Sequence, residues 1–582
     1  MLAKSIHHTL CVVVSLIISI AATAQPAREL AESLQSATQQ LNAIAAITDI
    51  EDQQKQAADV LLSLRPHIND LALPDEQAKD LWLVAARATV LADDIVNAPL
   101  VAAMVHHVHP DFAAEHPELA SSIDELAFDF DYKWMLDQRK KARELSLRAE
   151  TDPEAMTELA EVLAFHTEMM KDIHGSMNVL RRAAEMKYPR AAGKLGAIYI
   201  AGLSGTTVVR PDPALGIKLL QQAVDGGDPE ALCNLGVAYL QGLGVEQDVT
   251  KAVELFSKAV ELESTLGMVF LGNLYREGLG VEQDATKALE LWRQAASLNN
   301  PQAILKVGLA YSDGFGVEQD AALAASWYMS AADMGNPDAM FNLARAYRTG
   351  EGVIQDAYLE LKWFTRSAQH GNAEAMAQLS AMYISGWSVD RDVARGMMWL
   401  RRAAEAGQPF AMYMLGRAYA SGTNVKQDNK ISLYWYEKAA GAGNTDAMVV
   451  LANLYREGRG VEQSYDKALS LYNQAIEQGN GIAMVNIAWM YEKGIGVAED
   501  KHAAGVMYER AAKNGRTDVM YRVAWMYLYG IGFERDEQKG REWLHRAVEA
   551  GDEHAIEYLK QHPEKEQTFE EFRYKFDYRP KP

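Results

Sequence analysis

The amino-acid sequence predicts an all-α fold, a right-handed α-solenoid of about eleven helix-hairpin repeats of 36 residues. The first observation is a set of nine tyrosines that follow one another at intervals of 36 residues: Tyr239, Tyr275, Tyr311, Tyr347, Tyr383, Tyr419, Tyr455, Tyr491 and Tyr527. The second is that apolar and small residues around each tyrosine recur with helical spacing. One small structural unit has therefore been copied along the chain.

Residues 231–260, ALCNLGVAYLQGLGVEQDVTKAVELFSKAV, illustrate the unit. The apolar stripe of its first helix consists of Ala231, Leu232, Leu235, Ala238 and Tyr239. We expect this helix to end at Gly242, because glycine reaches the left-handed backbone region that helix ends need. Asp248 then supplies a side-chain oxygen that caps the second helix. The second stripe consists of Ala252, Leu255, Phe256 and Ala259.

Three columns of residues repeat through the array. The predicted capping positions are Asp248, Asp284, Asp320, Asp356, Asp392, Asp428, Ser464, Asp500 and Asp536. A small-residue column, which allows close helix packing, reads Gly236, Gly272, Gly308, Ala344, Ser380, Gly416, Ala452, Ala488 and Ala524. A bulky column, assigned to the core, reads Phe256, Trp292, Tyr328, Phe364, Leu400, Tyr436, Tyr472, Tyr508 and Leu544.

The array extends beyond the tyrosines at both ends. Ala155 and Leu159 lie 36 residues before Ala191 and Leu195, so residues 153–188 form a degenerate first copy. Ala555 belongs to one further first helix. We therefore predict a solenoid over residues 151–561, with eleven hairpins and a terminal half-unit.

The spaced pattern A-x-x-x-L-G-x-x-Y-x-x-G-x-G-V-x-x-D-x-x-x-A-x-x-W-x-x-x-A-A-x-x-G resembles the Sel1-like repeat, a relative of the tetratricopeptide repeat. The resemblance covers residues 153–561. It implies an α-solenoid that acts as an adaptor holding other proteins in complexes. Some secreted bacterial members carry a cysteine pair in every repeat and are described as β-lactamase-like, but this chain lacks those cysteines.

Charge and composition narrow the classes of partner. The chain has 57 basic and 79 acidic residues, a net charge of −22, whereas a nucleic-acid-binding protein needs concentrated positive charge. We therefore expect no nucleic-acid partner.

Residues 1–24 have the features of a secretory signal peptide. Lys4 precedes an apolar stretch from Thr9 to Ala21, and Ala22 and Ala24 have the small side chains of a cleavage site. An uncleaved membrane anchor is the alternative, although a span needs roughly 20 residues. No later segment approaches that length, so we expect no membrane span after signal removal and a periplasmic or secreted protein.

Cysteine and glycosylation patterns agree with export to a bacterial periplasm. Cys11 lies in the signal, which leaves Cys233 without a partner for an internal disulfide. No cysteine follows the cleavage site, which disfavours a lipoprotein, and no Asn-x-Ser/Thr sequon occurs.

The two ends lack the 36-residue register. Residues 25–150 have helical spacing, which predicts a helical N-terminal region that either stacks on the first repeat or forms a separate domain. In the tail, residues 562–582, aromatic and charged residues alternate from Phe572 to Tyr578, as in an extended strand. The tail either covers the last helix or docks on a partner.

The candidate reactive residues predict a protein that is not an enzyme, with no cofactor, catalytic residue or metal site. The stretch His106-His107-Val108-His109-Pro110-Asp111, with His116 nearby, has metal-ligand residue types but matches no specific site. Ser464 and Lys467 match the S-x-x-K motif of penicillin-binding enzymes, but no K-T-G accompanies them. The repeat explains both residues as a helix cap and a column lysine.

Positions that differ from copy to copy carry the functional prediction. Two such columns, four residues apart on the first helix, place large side chains on one strip: Phe341, Arg345, Tyr413, Arg417, Trp489, Tyr521 and Trp525. Tyrosine, tryptophan and arginine are the residues that most often anchor interfaces. We interpret the strip as a protein- or peptide-binding groove on the concave face of a non-enzymatic adaptor, although these side chains could instead fill gaps between repeats. A cell-wall or saccharide-binding module is the alternative function, and a β-lactamase-like hydrolase is a further one.

Overall fold

The computed structural model describes residues 144–164, 173–202 and 210–562, with short upstream stretches at 33–41, 85 and 141–142. All regular elements of these residues are helices. The predicted signal peptide, the histidine stretch 106–116, most of the N-terminal region and the tail from residue 563 lie outside the described residues.

The first of two compact units comprises residues 1–391. Its described helices are α1 (Pro153–Ala164), α2 (Ile173–Glu185), α3 (Pro189–Ala201), α4 (Pro213–Asp225), α5 (Pro229–Gln241), α6 (Val249–Glu261), α7 (Thr265–Glu277), α8 (Ala285–Ser297), α9 (Pro301–Asp313), α10 (Ala321–Asp333), α11 (Pro337–Thr349), α12 (Ala357–Gln369) and α13 (Ala373–Ser385). Helices α1 to α12 pair as six consecutive hairpins, and each hairpin packs on the next.

The second unit comprises residues 392–582. Its described helices are α14 (Val393–Glu405), α15 (Pro409–Ser421), α16 (Asn429–Gly441), α17 (Thr445–Glu457), α18 (Tyr465–Glu477), α19 (Gly481–Lys493), α20 (Lys501–Lys513), α21 (Met520–Tyr529), α22 (Glu537–Glu549) and α23 (Glu553–Gln561). Helices α15 to α22 form four hairpins, and α23 packs on α22. The predicted all-α array of hairpins of about 36 residues is confirmed by the two units.

The turn within each hairpin depends on the predicted glycine and aspartate. Gly242 ends α5 in the left-handed conformation, with φ 70° and ψ 33°. The Asp248 carboxylate accepts a hydrogen bond from the Lys251 backbone N–H at 2.9 Å, and its own N–H donates to the Tyr239 carbonyl at 2.9 Å. The backbone of the tyrosine position thereby holds the start of the following helix. The same bond recurs at Asp284, Asp320, Asp356, Asp428, Ser464, Asp500 and Asp536.

The small and bulky columns meet inside the hairpins. A Cβ on Gly236 would lie 2.7 Å from Phe256 Cε1, and one on Gly272 would lie 2.5 Å from Trp292 Nε1. Phe256 and Trp292 are fully buried. The two helices can approach this closely only where the first one carries a small residue, which confirms the predicted packing.

A second capping column, at the start of the first helices, has two exceptions, Tyr188 and Arg516. Its side chains accept a backbone hydrogen bond at Asp228, Ser264, Asn300, Asn336, Asn372, Gln408, Asn444, Asn480 and Asp552. Tyr188 makes no such hydrogen bond, and neither does Arg516, whose side chain has no acceptor to offer. A 3₁₀ turn, Thr517–Val519, replaces the first turn of the helix after Arg516, so α21 has only 10 residues.

Candidate binding surface

Two of the predicted strip residues, Phe341 and Arg345, lie on α11 in the first unit. Phe341 is half-buried, and its ring packs edge-on against buried Phe364, with 5.6 Å between centroids. Arg345 is exposed one turn further along the helix. Phe341 therefore contributes to packing, while the guanidinium of Arg345 is accessible to a partner.

An adjacent arginine, Arg348, is held in a network within the same unit. Its guanidinium lies 4.7 Å from the Phe364 ring centroid and 4.8 Å from that of Trp387. Its Nε donates to Glu360 Oε1 at 2.6 Å, and its Nη1 donates to Gln378 Oε1 at 2.8 Å. The Arg348 guanidinium is therefore engaged by neighbouring side chains of the same unit, which gives Arg348 a structural role.

In the second unit, Tyr413 and Arg417 form a pair on α15. The Arg417 guanidinium lies 5.7 Å from the Tyr413 ring centroid, and Arg417 is exposed. Phe410, which is 52% exposed, lies on the same helix with its ring 6.2 Å from Tyr413. The surface thus has an apolar residue, Phe410, that the column analysis missed.

Trp489 and Tyr521, predicted from separate repeats, line one open pocket of about 350 Å³ in the second unit. The pocket is formed by Val485, Asn486, Trp489, Tyr508, Asp518, Val519, Tyr521, Arg522, Asp552 and His554. Trp489 and Tyr521 are half-buried. The Arg456 guanidinium lies 5.0 Å from the Trp489 ring centroid, so this tryptophan is already in contact with a cation.

The polar groups beside the pocket form a connected network. Arg522 Nη2 lies 2.5 Å from Glu492 Oε2, and the Tyr508 hydroxyl donates to the same oxygen at 3.1 Å. Burial works to raise the pKa of Glu492, but the Arg522 charge and the Tyr508 hydrogen bond outweigh it and hold that pKa below its usual value. Burial raises the pKa of Tyr508, and the neighbouring Glu492 carboxylate adds to the increase.

This network suits recognition better than catalysis. The Glu492 carboxylate is ionised and committed to Arg522, and the Tyr508 hydroxyl stays protonated. Neither group is poised near neutral pH as a general base or a nucleophile. The pocket therefore offers aromatic faces and fixed polar groups to a ligand.

Arg516, one of the uncapped positions, contacts a residue of the pocket wall. Its Nη2 donates to Asp518 Oδ2 at 2.6 Å. Asp518 and Val519 belong to the 3₁₀ turn that replaces the capped helix start, and both line the pocket. A break in the capping column thus coincides with part of the pocket wall.

Trp525 belongs to an aromatic cluster next to this pocket and does not line it. Its ring centroid lies 4.2 Å from Tyr529, 5.7 Å from Tyr558 and 6.0 Å from Tyr521. Tyr529 is 50% exposed, whereas Tyr558 is buried. These ring contacts support a packing role for Trp525 instead of the predicted binding role.

The strip prediction did not include the pocket residues Asn486 and Arg522. Both belong to side-chain contacts between residues that lie 30 positions apart in the sequence. Arg348 contacts Gln378, and Arg456 Nη1 lies 3.5 Å from Asn486 Oδ1. Glu492 and Arg522 occupy the same two positions, with the arginine at the second one. Comparing these two columns along the array would have identified Asn486 and Arg522.

Within residues 144–164, 173–202 and 210–562, no three histidine, cysteine, aspartate or glutamate side chains cluster as metal ligands. In the same part of the chain, no helix combines the length and apolar character required to cross a membrane. The Ser464 hydroxyl accepts a hydrogen bond from the Lys467 backbone N–H at 3.3 Å, as a helix cap does.

The fold and the surface together define a helix-hairpin repeat protein of the tetratricopeptide type. The Sel1 repeat matches ten consecutive segments: residues 189–228, 229–264, 265–300, 301–336, 337–372, 373–408, 409–444, 445–480, 481–515 and 517–552. The chain belongs to the Sel1 repeat family. Proteins of this family commonly act as scaffolds for protein–protein interactions and are generally not enzymes.

Solved structures include similar repeat proteins. The protective antigen c5321 of uropathogenic Escherichia coli, which displays an SLR fold, is 31% identical over 70% of this chain and 86% of that one, with a TM-score of 0.40. A Sel1 repeat protein from Oxalobacter formigenes is 33% identical over 54% of this chain and 90% of that one, with a TM-score of 0.38. The immunity protein Pa5087 from Pseudomonas aeruginosa is 24% identical over 38% of this chain and 83% of that one, with a TM-score of 0.31. The search of curated proteins gave no match.

Proposed function

We propose that this protein is an exported, non-enzymatic scaffold that binds a protein or peptide segment along the first helices, on the concave face of the solenoid. The observation that carries the proposal is the pocket of about 350 Å³ between Trp489 and Tyr521. Trp489 and Tyr521 occupy positions that vary between copies, and half-buried aromatic residues at such positions are typical anchors of interfaces. Tyr413 and Arg417 belong to the proposed surface within the second unit, and Phe341 and Arg345 are the proposed binding residues of the first unit.

A peptide suits the pocket better than a saccharide does. Saccharide platforms need a flat aromatic face that is open to solvent, but Arg456 lies 5.0 Å from the Trp489 ring centroid. Trp525 is packed among Tyr529 and Tyr558. A peptide side chain can enter between Trp489 and Tyr521 while its backbone contacts Asn486 and Arg522, which requires no free face.

The test compares a Trp489→Ala/Tyr521→Ala variant with a matched control, Tyr434→Ala. Tyr434 is a 51% exposed tyrosine on a second helix of the same unit, away from the pocket lining. Each protein is used for affinity capture from periplasmic extract, followed by quantitative mass spectrometry and a peptide array. We expect the double variant to lose partners that wild type and Tyr434→Ala retain, with unchanged helicity.

Equal capture by all three proteins would remove the pocket from the binding surface. Binding to isolated cell wall that depends on Trp489, without any peptide binding, would favour the saccharide function.

A separate experiment tests export: the protein recovered from the periplasm should begin at Gln25. Recovery of the uncleaved chain from the membrane fraction would replace the signal peptide with an anchor.

A further inference from the structure

Three large side chains of the first unit are exposed at its hairpin turns. Ile354 is 89% exposed, Tyr358 is 57% exposed and Trp387 is 55% exposed. Ile354 precedes the Asp356 cap of α12 by two residues, and Tyr358 belongs to the first turn of that helix. Trp387 follows the end of α13. Grouped apolar side chains that remain this exposed are a mark of interaction surfaces.

The turn that carries Trp387 lies against the start of α12. The Ser388 hydroxyl donates to Glu360 Oε2 at 3.1 Å. Arg348, whose guanidinium lies 4.8 Å from the Trp387 ring centroid, donates through its Nε to Glu360 Oε1 at 2.6 Å. Because Glu360 follows Tyr358 by two residues on α12, these contacts bring the two turns together. We call the three exposed side chains on these neighbouring turns the turn patch.

The backbone of its turn and the contacts around it hold Trp387 in one position. The next residue, Ser388, has φ 62°, in the left-handed region, where the preceding copies of this unit have glycine: Gly244, Gly280, Gly316 and Gly352. The hydrogen bond from Ser388 to Glu360 fixes this turn, and Arg348 lies over the tryptophan ring. A tryptophan fixed in this way loses little conformational freedom on binding, which favours a role as an interface anchor.

The apolar residue at position 354 is an exception within its column. The corresponding residues of other copies in the first unit are acidic and exposed: Glu246, Glu282, Glu318 and Asp390. The glutamate copies have the same turn and the same capped second helix, so the fold does not require isoleucine at this position. Ile354 also buries almost none of its surface within the unit. Its side chain is therefore available for contact with a partner.

Carboxylates surround the turn patch. A Cβ on Gly352 would meet the carbonyl of Ala321, so the turn before α12 packs on the start of α10. Residues 313–320, 349–356 and 385–391 are therefore three successive turns of the unit. Their acidic residues are Asp313, Glu318, Asp320, Glu351, Asp356 and Asp390. Asp320 and Asp356 cap helices, and the other four are exposed.

Basic groups do not balance these carboxylates. The one basic residue of the three turns is Arg391, whose Nε donates to the Ile384 carbonyl at 3.0 Å. Arg348, which contacts Trp387, is already paired with buried Glu360. The four exposed carboxylates form no ion pair within the described residues. The turn patch is therefore an apolar centre in an acidic surround, which complements an apolar and basic ligand.

We propose that the turn patch is a docking site for a segment of a partner protein in which apolar side chains are flanked by lysine or arginine. The apolar side chains contact Ile354, Tyr358 and Trp387, and the flanking cations lie over the surrounding carboxylates. The turn patch is separate from the first-helix strip, so this site goes beyond the proposed function. A negatively charged lipid surface is disfavoured by the same carboxylates.

The experiment measures binding of synthetic fluorescent peptides to the full-length protein by anisotropy. The probe is an amphipathic peptide of leucine and lysine. One control peptide has glutamate in place of every lysine, and a second has serine in place of every leucine. We expect only the leucine–lysine peptide to bind wild type, and Ile354→Glu/Trp387→Ala to weaken that binding at least about tenfold. Ile354→Glu alone introduces the residue of other copies at an exposed position, so it should keep the fold and still weaken binding.

Two matched controls separate the turn patch from other surfaces. Tyr434→Ala, which removes an exposed aromatic side chain of the second unit, should bind the peptide as wild type does. The pocket variant Trp489→Ala/Tyr521→Ala should also bind it equally, even where that variant loses captured partners. Loss of peptide binding in the pocket variant, with unchanged binding in Ile354→Glu, would overturn the docking site and leave the binding function of the pocket standing.

Other outcomes would also overturn the proposal. Equal binding by wild type and Ile354→Glu/Trp387→Ala would remove the turn patch, and equal binding of the lysine and glutamate peptides would remove the basic partner. Self-association of wild type that the double substitution abolishes would assign the turn patch to a second copy of the chain. Binding to phosphatidylglycerol vesicles that depends on the same two residues would assign it to a lipid surface.

Discussion

The side chain of Arg516 packs against the backbone of Gly481, where the other nine matched Sel1 repeats have proline, threonine or alanine. A Cβ on Gly481 would lie 2.6 Å from Arg516 Cγ and 3.1 Å from its Cδ. The missing side chain at position 481 therefore makes room for the one arginine in the capping column. Local changes in two neighbouring copies compensate each other, and the pocket wall follows directly after them.

We predict that Arg516→Asn stabilises the protein by about 1 kcal/mol, because asparagine restores the cap that other copies have. The backbone of Arg516 is already extended, with φ −76° and ψ 95°, as at the capped positions. Urea unfolding measures the gain, and slower amide exchange at residues 518–520 locates it. An unchanged exchange rate there would show that the 3₁₀ turn has another cause.

Because Gly481 contacts Arg516, the effect of Gly481→Ala on stability should depend on the residue at position 516. Gly481→Ala should destabilise wild type by about 1–3 kcal/mol through overpacking. In the Arg516→Asn background it should be neutral or stabilising, because alanine is favoured over glycine in a helix. Gly441→Ala is the matched control, since a Cβ there would meet nothing within 4 Å. Equal effects of Gly481→Ala in both backgrounds would contradict the proposed compensation.

Breaking the buried ion pair between Glu360 and Arg348 should greatly lower the unfolding free energy of the first unit. Glu360 is 2% exposed, and its second oxygen accepts a hydrogen bond from the Ser388 hydroxyl at 3.1 Å. Arg348→Met would leave this carboxylate buried without its cation, at a cost of about 3–5 kcal/mol in unfolding free energy. The double variant Arg348→Met/Glu360→Met should cost less than Arg348→Met alone. Equal costs for the two variants would show that the lost packing of Arg348 against Phe364 and Trp387, which both variants share, dominates.

Glu492 predicts a pH dependence of stability in the second unit. Its pKa in the folded protein lies below the ordinary 4.5, so its pairing stabilises the fold fully above that value. This stabilisation is lost as the pH falls below 4.5 and the carboxylate becomes protonated. We expect wild type to exceed Glu492→Gln in unfolding free energy at pH 7, and the difference to shrink in that acidic range. A difference that stays constant into acid would assign the effect to hydrogen bonding alone.

The repeat could be predicted from sequence, whereas the pocket could be predicted only in part, and the reason is physical. Caps such as Asp248 and turns such as Gly242 act within a few residues, so every copy follows the same local rule. Trp489 and Tyr521 were identified because they differ from other copies, although nothing in their columns indicated a shared pocket. That pocket depends on contacts between copies, such as the Glu492–Arg522 pair, and on the exception at Arg516.

Cys233 should be chemically inert in the folded protein. Burial raises the pKa of its thiol to about 12, even though a contact with the Ser264 hydroxyl at 3.7 Å works against the increase. The thiolate is the reactive species, so we expect negligible labelling by a disulfide reagent at pH 8 until the protein unfolds. A Cys11→Ser background leaves Cys233 as the only thiol. Rapid labelling of the folded chain would mean that the hairpin of α5 and α6 opens readily.

Substitutions of Ser464 distinguish a scaffold, in which this residue caps a helix, from a hydrolase, in which it would be the nucleophile. As a cap it accepts a hydrogen bond from the Lys467 backbone N–H, while the Lys467 ammonium lies 5.0 Å from the Tyr455 ring centroid. We expect Ser464→Ala to cost about 1 kcal/mol in stability, and Ser464→Asp, the residue of the other copies, to cost nothing. Nitrocefin should not be hydrolysed by any of these proteins. Turnover by wild type that both substitutions abolish, with stability retained in Ser464→Asp, would identify a nucleophile where the fold provides a cap.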